Sequence, residues 1–219
     1  MRKLLFIILL AFGFNQDISN QYNISGEWFH NLAIQEDGTV VGWGENLQGE
    51  TDIPDGLENV AALSSGYRHS LALLEDGTVV GWGFNEWGQA DIPDGLENVV
   101  AISSGRQHNN ALLEDGTVVV WGSDSSHAIE IPDGLENVVA ISSGREHNLA
   151  LLEDSTVVHW GNHAYNIPAG LDNVVAISSG DNHCLALLGD STVVGWGLGD
   201  HYWVYPDVWP LEPPDGLEN

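Results

Sequence analysis

Cationic side chains are nearly missing from this chain: five Lys and Arg stand against 32 Asp and Glu in 219 residues, for a formal charge of −27. Binding to nucleic acid needs a basic footprint that displaces counterions from phosphates, so that class of partner is excluded. Cysteine is limited to Cys184, which rules out a disulfide framework or a multi-thiolate zinc site within one copy. Its thiol reads as a small buried group beside His183. Long apolar runs are confined to residues 4–14, which follow Arg2 and Lys3. That stretch predicts a secretory signal peptide over residues 1–16. It is shorter than the ~20 residues of an ordinary membrane span, so no integral span is expected once it is removed. A sustained 3.6-residue apolar period is also lacking, and helices are therefore not expected. The chain has no Gly-x-Ser-x-Gly elbow, no His-Glu-x-x-His and no phosphate loop. It is read as not an enzyme, with no cofactor and no metal.

What the chain does have is repetition. His30, His69, His108 and His147 follow one another at intervals of 39 residues and His183 follows after 36. Trp43, Trp82, Trp121, Trp160 and Trp196 keep the same spacing. A fixed period of this length marks an architecture in which one small unit buries its apolar faces only against its neighbours. Five units of about 39 residues fill a single repeat domain, 17–219, and residues 215–219 repeat the lead-in to a sixth.

Within the unit 98–122, the β-branched segment 99–103, bounded by Ser-Ser-Gly, predicts a first strand and 109–113 a second. The Asp115-Gly116 pair predicts a two-residue hairpin turn into a third strand at 117–121. The Pro-containing linker that follows has to run back along the outer edge, and it could add a short fourth strand near 89–92. This path places the Ser-Gly-x-x-His connections and the residues after Trp-Gly on one face. The Glu-Asp-Gly-Thr turns and Pro-Asp-Gly-Leu-Glu-Asn lead-ins fall on the other, strongly acidic one. Units four and five carry Ser155 and Ser191 where the turn glycine belongs, which weakens those hairpins. Unit one has Glu27 in place of the glycine after the Ser-Ser pair. The linker of unit four is three residues shorter than the standard, and that of unit five is seven longer.

The recurring Gly-x-x-His-x-Leu-Ala-Leu, Glu-Asp-Gly-Thr-Val-Val-x-Trp-Gly and Asn-Val-Val-Ala-Ile-Ser-Ser-Gly resemble the short bacterial form of the regulator-of-chromosome-condensation repeat family, over about residues 20–219. The resemblance implies an all-β fold, a β-propeller of short three-stranded or possibly four-stranded blades, with the chain expected to supply five blades of a seven-bladed ring. Closure by five units is the alternative. The exchange-factor and chromatin roles of the family's eukaryotic founder do not transfer to a chain this acidic.

The repeated histidines and tryptophans are read as structural: each His hydrogen-bonds backbone inside its blade, and each Trp packs between blades. Function is instead assigned to residues that break the repetition. Apart from Arg2 and Lys3, the cations are Arg68, Arg106 and Arg145, all on one face with Tyr67, Trp87, Gln107, Phe84, Trp28 and Phe29. Arg, Tyr and Trp dominate binding hot spots. The competing reading is that these arginines pair with adjacent-blade carboxylates. The leading expectation is a secreted or surface-displayed binding scaffold with a protein partner. The alternative is carbohydrate binding or hydrolysis through the insert 201–210, with Tyr202, Trp203 and Trp209 as a stacking platform. His159, His163 and His201 suggest a surface metal site, but no carboxylate spacing supports one. Cys184 with His183 suggests a nucleophile pair, but adjacent strand residues point to opposite faces.

Overall fold

The computed structural model describes residues 24–124, 127–162 and 166–197. The signal segment 1–16, the insert 201–210 and the lead-in 215–219 lie outside them. The described chain forms fifteen strands in five separate three-stranded antiparallel sheets, each built from consecutive strands. The first strands are Ile24–Glu27, Val60–Ser65, Val99–Ser104, Val138–Ser143 and Val174–Ser179. The middle strands are His30–Ile34, His69–Leu74, His108–Leu113, His147–Leu152 and His183–Leu188. The third are Val40–Gly44, Val79–Gly83, Val118–Gly122, Val157–Gly161 and Val193–Gly197. These are propeller blades. First strands of successive blades touch one another, which makes them the inner strands, and each middle strand faces the inner strand of the next blade.

Each blade is too thin to enclose a core, so the apolar side chains are buried at the junctions. The second junction packs Leu71, Leu73 and Val79 against Val99, Ala111 and Trp121. The fourth packs Leu149 and Leu151 against Val174, Cys184, Ala186 and Trp196. Each junction includes one Trp from the following blade. Trp43 faces no earlier blade among the described residues and is 47% exposed, against 5–7% for the other four.

Two local features differ from the sequence expectation. The linker residues 89–92 form no strand. Their polar groups are satisfied locally instead: Ala90 N donates to Asn85 Oδ1, Asn85 Nδ2 to Asp91 Oδ1, and Asp91 N to Gly88 O. The blades therefore have three strands. The hairpin turn is also one residue longer than a two-residue loop. Gly116 N donates to Leu113 O and Leu113 N to Thr117 O, with Gly116 alone at positive φ, the geometry of a type I turn closed by a glycine bulge. Asp115 Oδ1 accepts from Thr117 N and Oγ1, which fixes the Asp-Gly-Thr triplet and holds the carboxyl below the ordinary Asp range. The lead-in asparagines Asn59, Asn98, Asn137 and Asn173 all adopt φ of 53–58°, a region Asn tolerates, and their carbonyls accept from the turn of the same blade.

Candidate functional site

Unit one departs from the pattern at the loop between its first two strands. In the other units a glycine follows the Ser-Ser pair because a Cβ there would run into the repeat histidine ring, as at Gly66 against His69. Glu27 in that place reshapes the connection, and Trp28 is left at φ 54°, a conformation bulky residues rarely adopt. Trp28 follows the end of the inner strand Ile24–Glu27, where propeller geometry places the mouth of the channel, and meets residues from two other blades. Its ring lies edge-on to Tyr67 of blade two at 5.2 Å, and the Arg145 guanidinium of blade four lies over it at 5.8 Å. Phe29 is edge-on to Tyr67 at 5.5 Å. Arg68 and Arg106 each place a guanidinium 5.2 Å from the Tyr67 ring centre. Four blades thus contribute to one cluster of three aromatic rings and three guanidinium groups.

The electrostatics of this cluster are mixed. Arg68 pairs with Glu45 of blade one at 2.8 Å, and Arg106 pairs with Glu146 of blade four at 3.5 Å, with Arg145 Nε 3.8 Å from the same Glu146 carboxylate. Arg68 and Arg106 therefore do pair with carboxylates of neighbouring blades, whereas Arg145 lies beside one of its own blade, and all three guanidinium groups also lie over aromatic rings. The pairs are only partly buried, with side chains 26–37% exposed, so a partner's carboxylate can reach them. Burial first, and the charge of Asp181 second, push the Glu27 carboxyl up to about 8. That coupling brings blade five to the same mouth.

Tyr67, Arg68, Arg106 and Arg145 are thus brought together, joined by Trp28 and Phe29. Trp87 stands on the surface at 51% exposure and takes part in none of these ring contacts, and Gln107 is half-buried with its carbonyl accepting from Ser123 N. Tyr202, Trp203 and Trp209 lie outside the described residues. A groove lined by Glu97, Asn98, Leu113, Glu114 and Asp115 joins a lead-in to its own turn.

The repeat histidines act between blades, a correction to the within-blade role expected from sequence. His69 Nε2 of blade two bonds Asn109 Oδ1 of blade three at 2.7 Å, and Asn109 Nδ2 donates to Gln89 O in the linker of blade two. Since the Asn109 amide nitrogen is committed to Gln89, its oxygen accepts and His69 carries the proton on Nε2. His108–Asn148–Ala128 O and His30–Ser70–Glu50 O repeat the arrangement. The same carbonyls also accept from Trp82, Trp121 and Trp160 Nε1. Burial pulls His69 and His108 down to about 4, so these rings are neutral. Cys184 faces His147 of the preceding blade rather than its sequence neighbour His183, and burial pushes its thiol up to about 12, unlike a nucleophile's.

A sequence model described as the regulator of chromosome condensation (RCC1) repeat matches residues 60–89, 99–127, 138–166 and 174–202, together more than half of the chain. No curated protein matches the chain. Among solved structures, the ectodomain of the receptor kinase CR4 from Physcomitrella patens is similar at a TM-score of 0.70 and 25% identity, over 80% of this chain and 51% of that one. The CRINKLY ectodomain of the Arabidopsis thaliana receptor kinase ACR4 is similar at 0.66 and 24%, over 81% and 64%. Prp20p from Saccharomyces cerevisiae, described with binding to Gsp1p and histones, is similar at 0.64 and 20%, over 83% and 57%. The chain therefore spans roughly half to two thirds of the length of these propellers.

Proposed function

The chain belongs to the regulator of chromosome condensation repeat family, and from that premise we propose that it is a non-catalytic scaffold, secreted or displayed at a cell surface, that binds another protein through the channel-mouth face. One observation carries this reading. Trp28, Phe29, Tyr67, Arg68, Arg106 and Arg145, drawn from four blades, form one partly exposed cluster. Repeat contacts explain the rest of the blade, but they do not account for a strained Trp held against a guanidinium three blades away. Aromatic rings and guanidinium groups are the side chains most enriched where a protein interface concentrates its binding energy.

The surroundings favour a partner surface that offers carboxylates beside flat apolar groups. On a chain with a charge of −27, the three Arg of the propeller gather here, and each is already within reach of Glu45 or Glu146. A partner carboxylate takes the place of these intramolecular acids without creating a new buried charge. Family relatives supply the precedent of binding proteins: yeast RCC1 (Prp20) has been solved bound to Kap60.

The test is affinity capture from the native surroundings with the immobilised chain and with its R68E/R106E/R145E variant. The reading expects a discrete protein to be retained by the first and lost by the second, with simple and polymeric sugars failing to compete. Capture that survives charge reversal, or that sugars abolish, contradicts it. The location is tested separately by N-terminal sequencing: a mature chain that starts near residue 17 in the extracytoplasmic fraction agrees with secretion, and an unprocessed cytoplasmic chain does not.

A further inference from the structure

The fourth blade junction is built differently from the other three. At those, a Ser or Asn one position after the next blade's histidine takes the Nε2 hydrogen bond and passes one on to a linker carbonyl, which also accepts from a Trp Nε1. At the fourth, Cys184 stands in the Ser/Asn place, 3.4 Å from His147 Nε2. Trp196 Nε1 is buried and has no acceptor among the described residues. The linker that would supply the carbonyl is the one that is three residues shorter.

A second substitution falls at the same junction. The middle of the third strand is Gly42, Gly81, Val120 and Gly195 in the other blades, and a Cβ at Gly81 would stand 2.7 Å from Ala90 O of its own linker. Blade four has His159 there. Its ring lies edge-on to that of His147, with centroids 5.0 Å apart. The result is one thiol and two imidazoles from three strands of two blades, whose ligand atoms all lie within 4.8 Å of one another. Cys184 and His147 are buried, and the pair's 3.4 Å separation matches two ligands of one tetrahedral zinc, about 3.3–3.8 Å for bonds of about 2.0–2.3 Å.

We propose that His147, His159 and Cys184 form a site for a borderline d-block cation, Zn2+ in the first instance, which joins blades four and five in place of the hydrogen-bonded Ser or Asn found elsewhere. The donor set decides the class of ion. One sulfur and two nitrogens suit zinc and its neighbours, whereas calcium and magnesium require oxygen ligands. On binding, the Cys184 S–H proton leaves to solvent and the thiolate and two neutral imidazoles each donate one electron pair. Three protein ligands leave a fourth tetrahedral position for water or a small exogenous ligand. Such an ion ties the blade that carries Arg145 to the blade that carries Asp181, and it stands independently of what the channel mouth binds.

The alternative is that Cys184 and His159 merely fill the space left by a shorter linker. The two readings separate in a titration of the full chain, reduced and stripped with a chelator, with Co2+ and then Zn2+. The site predicts one equivalent of Co2+ with a thiolate-to-cobalt charge-transfer band, displacement by Zn2+, and a rise in unfolding temperature with either ion. C184N and H159G restore residues used at other junctions, so both variants are expected to keep the β-sheet circular dichroism of the parent while losing the band and the thermal shift. A parent chain that binds no stoichiometric Co2+ or Zn2+, or variants that bind as the parent does, overturns the proposal.

Discussion

Glu27 occupies a place that Gly66, Gly105, Gly144 and Gly180 hold in the other units, and it is a carboxyl kept from ionising by burial and by Asp181. With a folded value of about 8 against an ordinary 4.5, the native state holds its proton more tightly than the unfolded chain. The stabilising contribution is therefore complete below pH 4.5 and is lost as the pH rises through 8. Glu27→Gln removes that dependence. Urea unfolding at a series of pH values is expected to show the parent losing on the order of 4 kcal/mol more than the variant between pH 5 and 9. Parallel curves contradict the assignment. Ser155 and Ser191 give a second test, since they sit at φ 68° and 74° in the turn place where other units have glycine. The left-handed conformation costs a residue with a Cβ roughly 1–2 kcal/mol, which exceeds the added flexibility of glycine in the unfolded chain. Ser155→Gly should thus stabilise by roughly 0.5–1 kcal/mol in denaturant unfolding, and a loss of stability argues against a strained turn.

The junction is the element on which the fold depends, because no blade encloses its own core. Asn109 is fully buried, accepting from His69 and donating to Gln89 O. Asn109→Ala leaves His69 Nε2 buried without its acceptor, while Gln89 O keeps Trp121 Nε1 as a donor, and is expected to cost about 1–3 kcal/mol. Asn109→Ser should recover much of this, since Ser70 makes the same pair of bonds one junction earlier. Equal losses from the two variants would mean that volume, not hydrogen bonding, sets the cost. The histidines add a pH dependence of the opposite sign to that of Glu27. His69 and His108, lowered to about 4 from 6.5, remain neutral in the folded chain while the unfolded chain takes up protons. Stability should be full above pH 6.5 and fall by a few kcal/mol between pH 6.5 and 4. Replacing one of them should flatten that fall, as read from the unfolding midpoint.

Across the whole molecule, the parts legible in the sequence are those that repeat. The 39-residue period, the strand positions, and the division of loops between an acidic face and an arginine-bearing face follow from spacing and turn residues alone. Partnerships between blades were not legible in the same way. His69 and Asn109 lie 40 residues apart, and only the stacking of blades shows that the histidine reaches forward instead of into its own sheet. The hairpin turn differs by one residue because Asp-Gly serves a two-residue loop and a type I turn with a glycine bulge equally well. The mouth cluster was half legible. Arg68, Arg106, Arg145 and Tyr67 stand out as breaks in the repeat, whereas the central part of Trp28 depends on Glu27 distorting its loop. His159 and Cys184 also break the repeat, in different units, and their meeting at one junction needed the structure.

Protein binding at the channel mouth can be tested directly by crosslinking. A photoreactive phenylalanine analogue at position 67, in the cluster, can be compared with the same residue at position 76, in a turn on the acidic face, with both chains irradiated in the native surroundings. Binding at the mouth gives a discrete protein adduct from position 67 that disappears when Arg68, Arg106 and Arg145 become Glu, and none from position 76. Adducts formed equally from both faces, or an adduct from position 67 that charge reversal leaves intact, would contradict it.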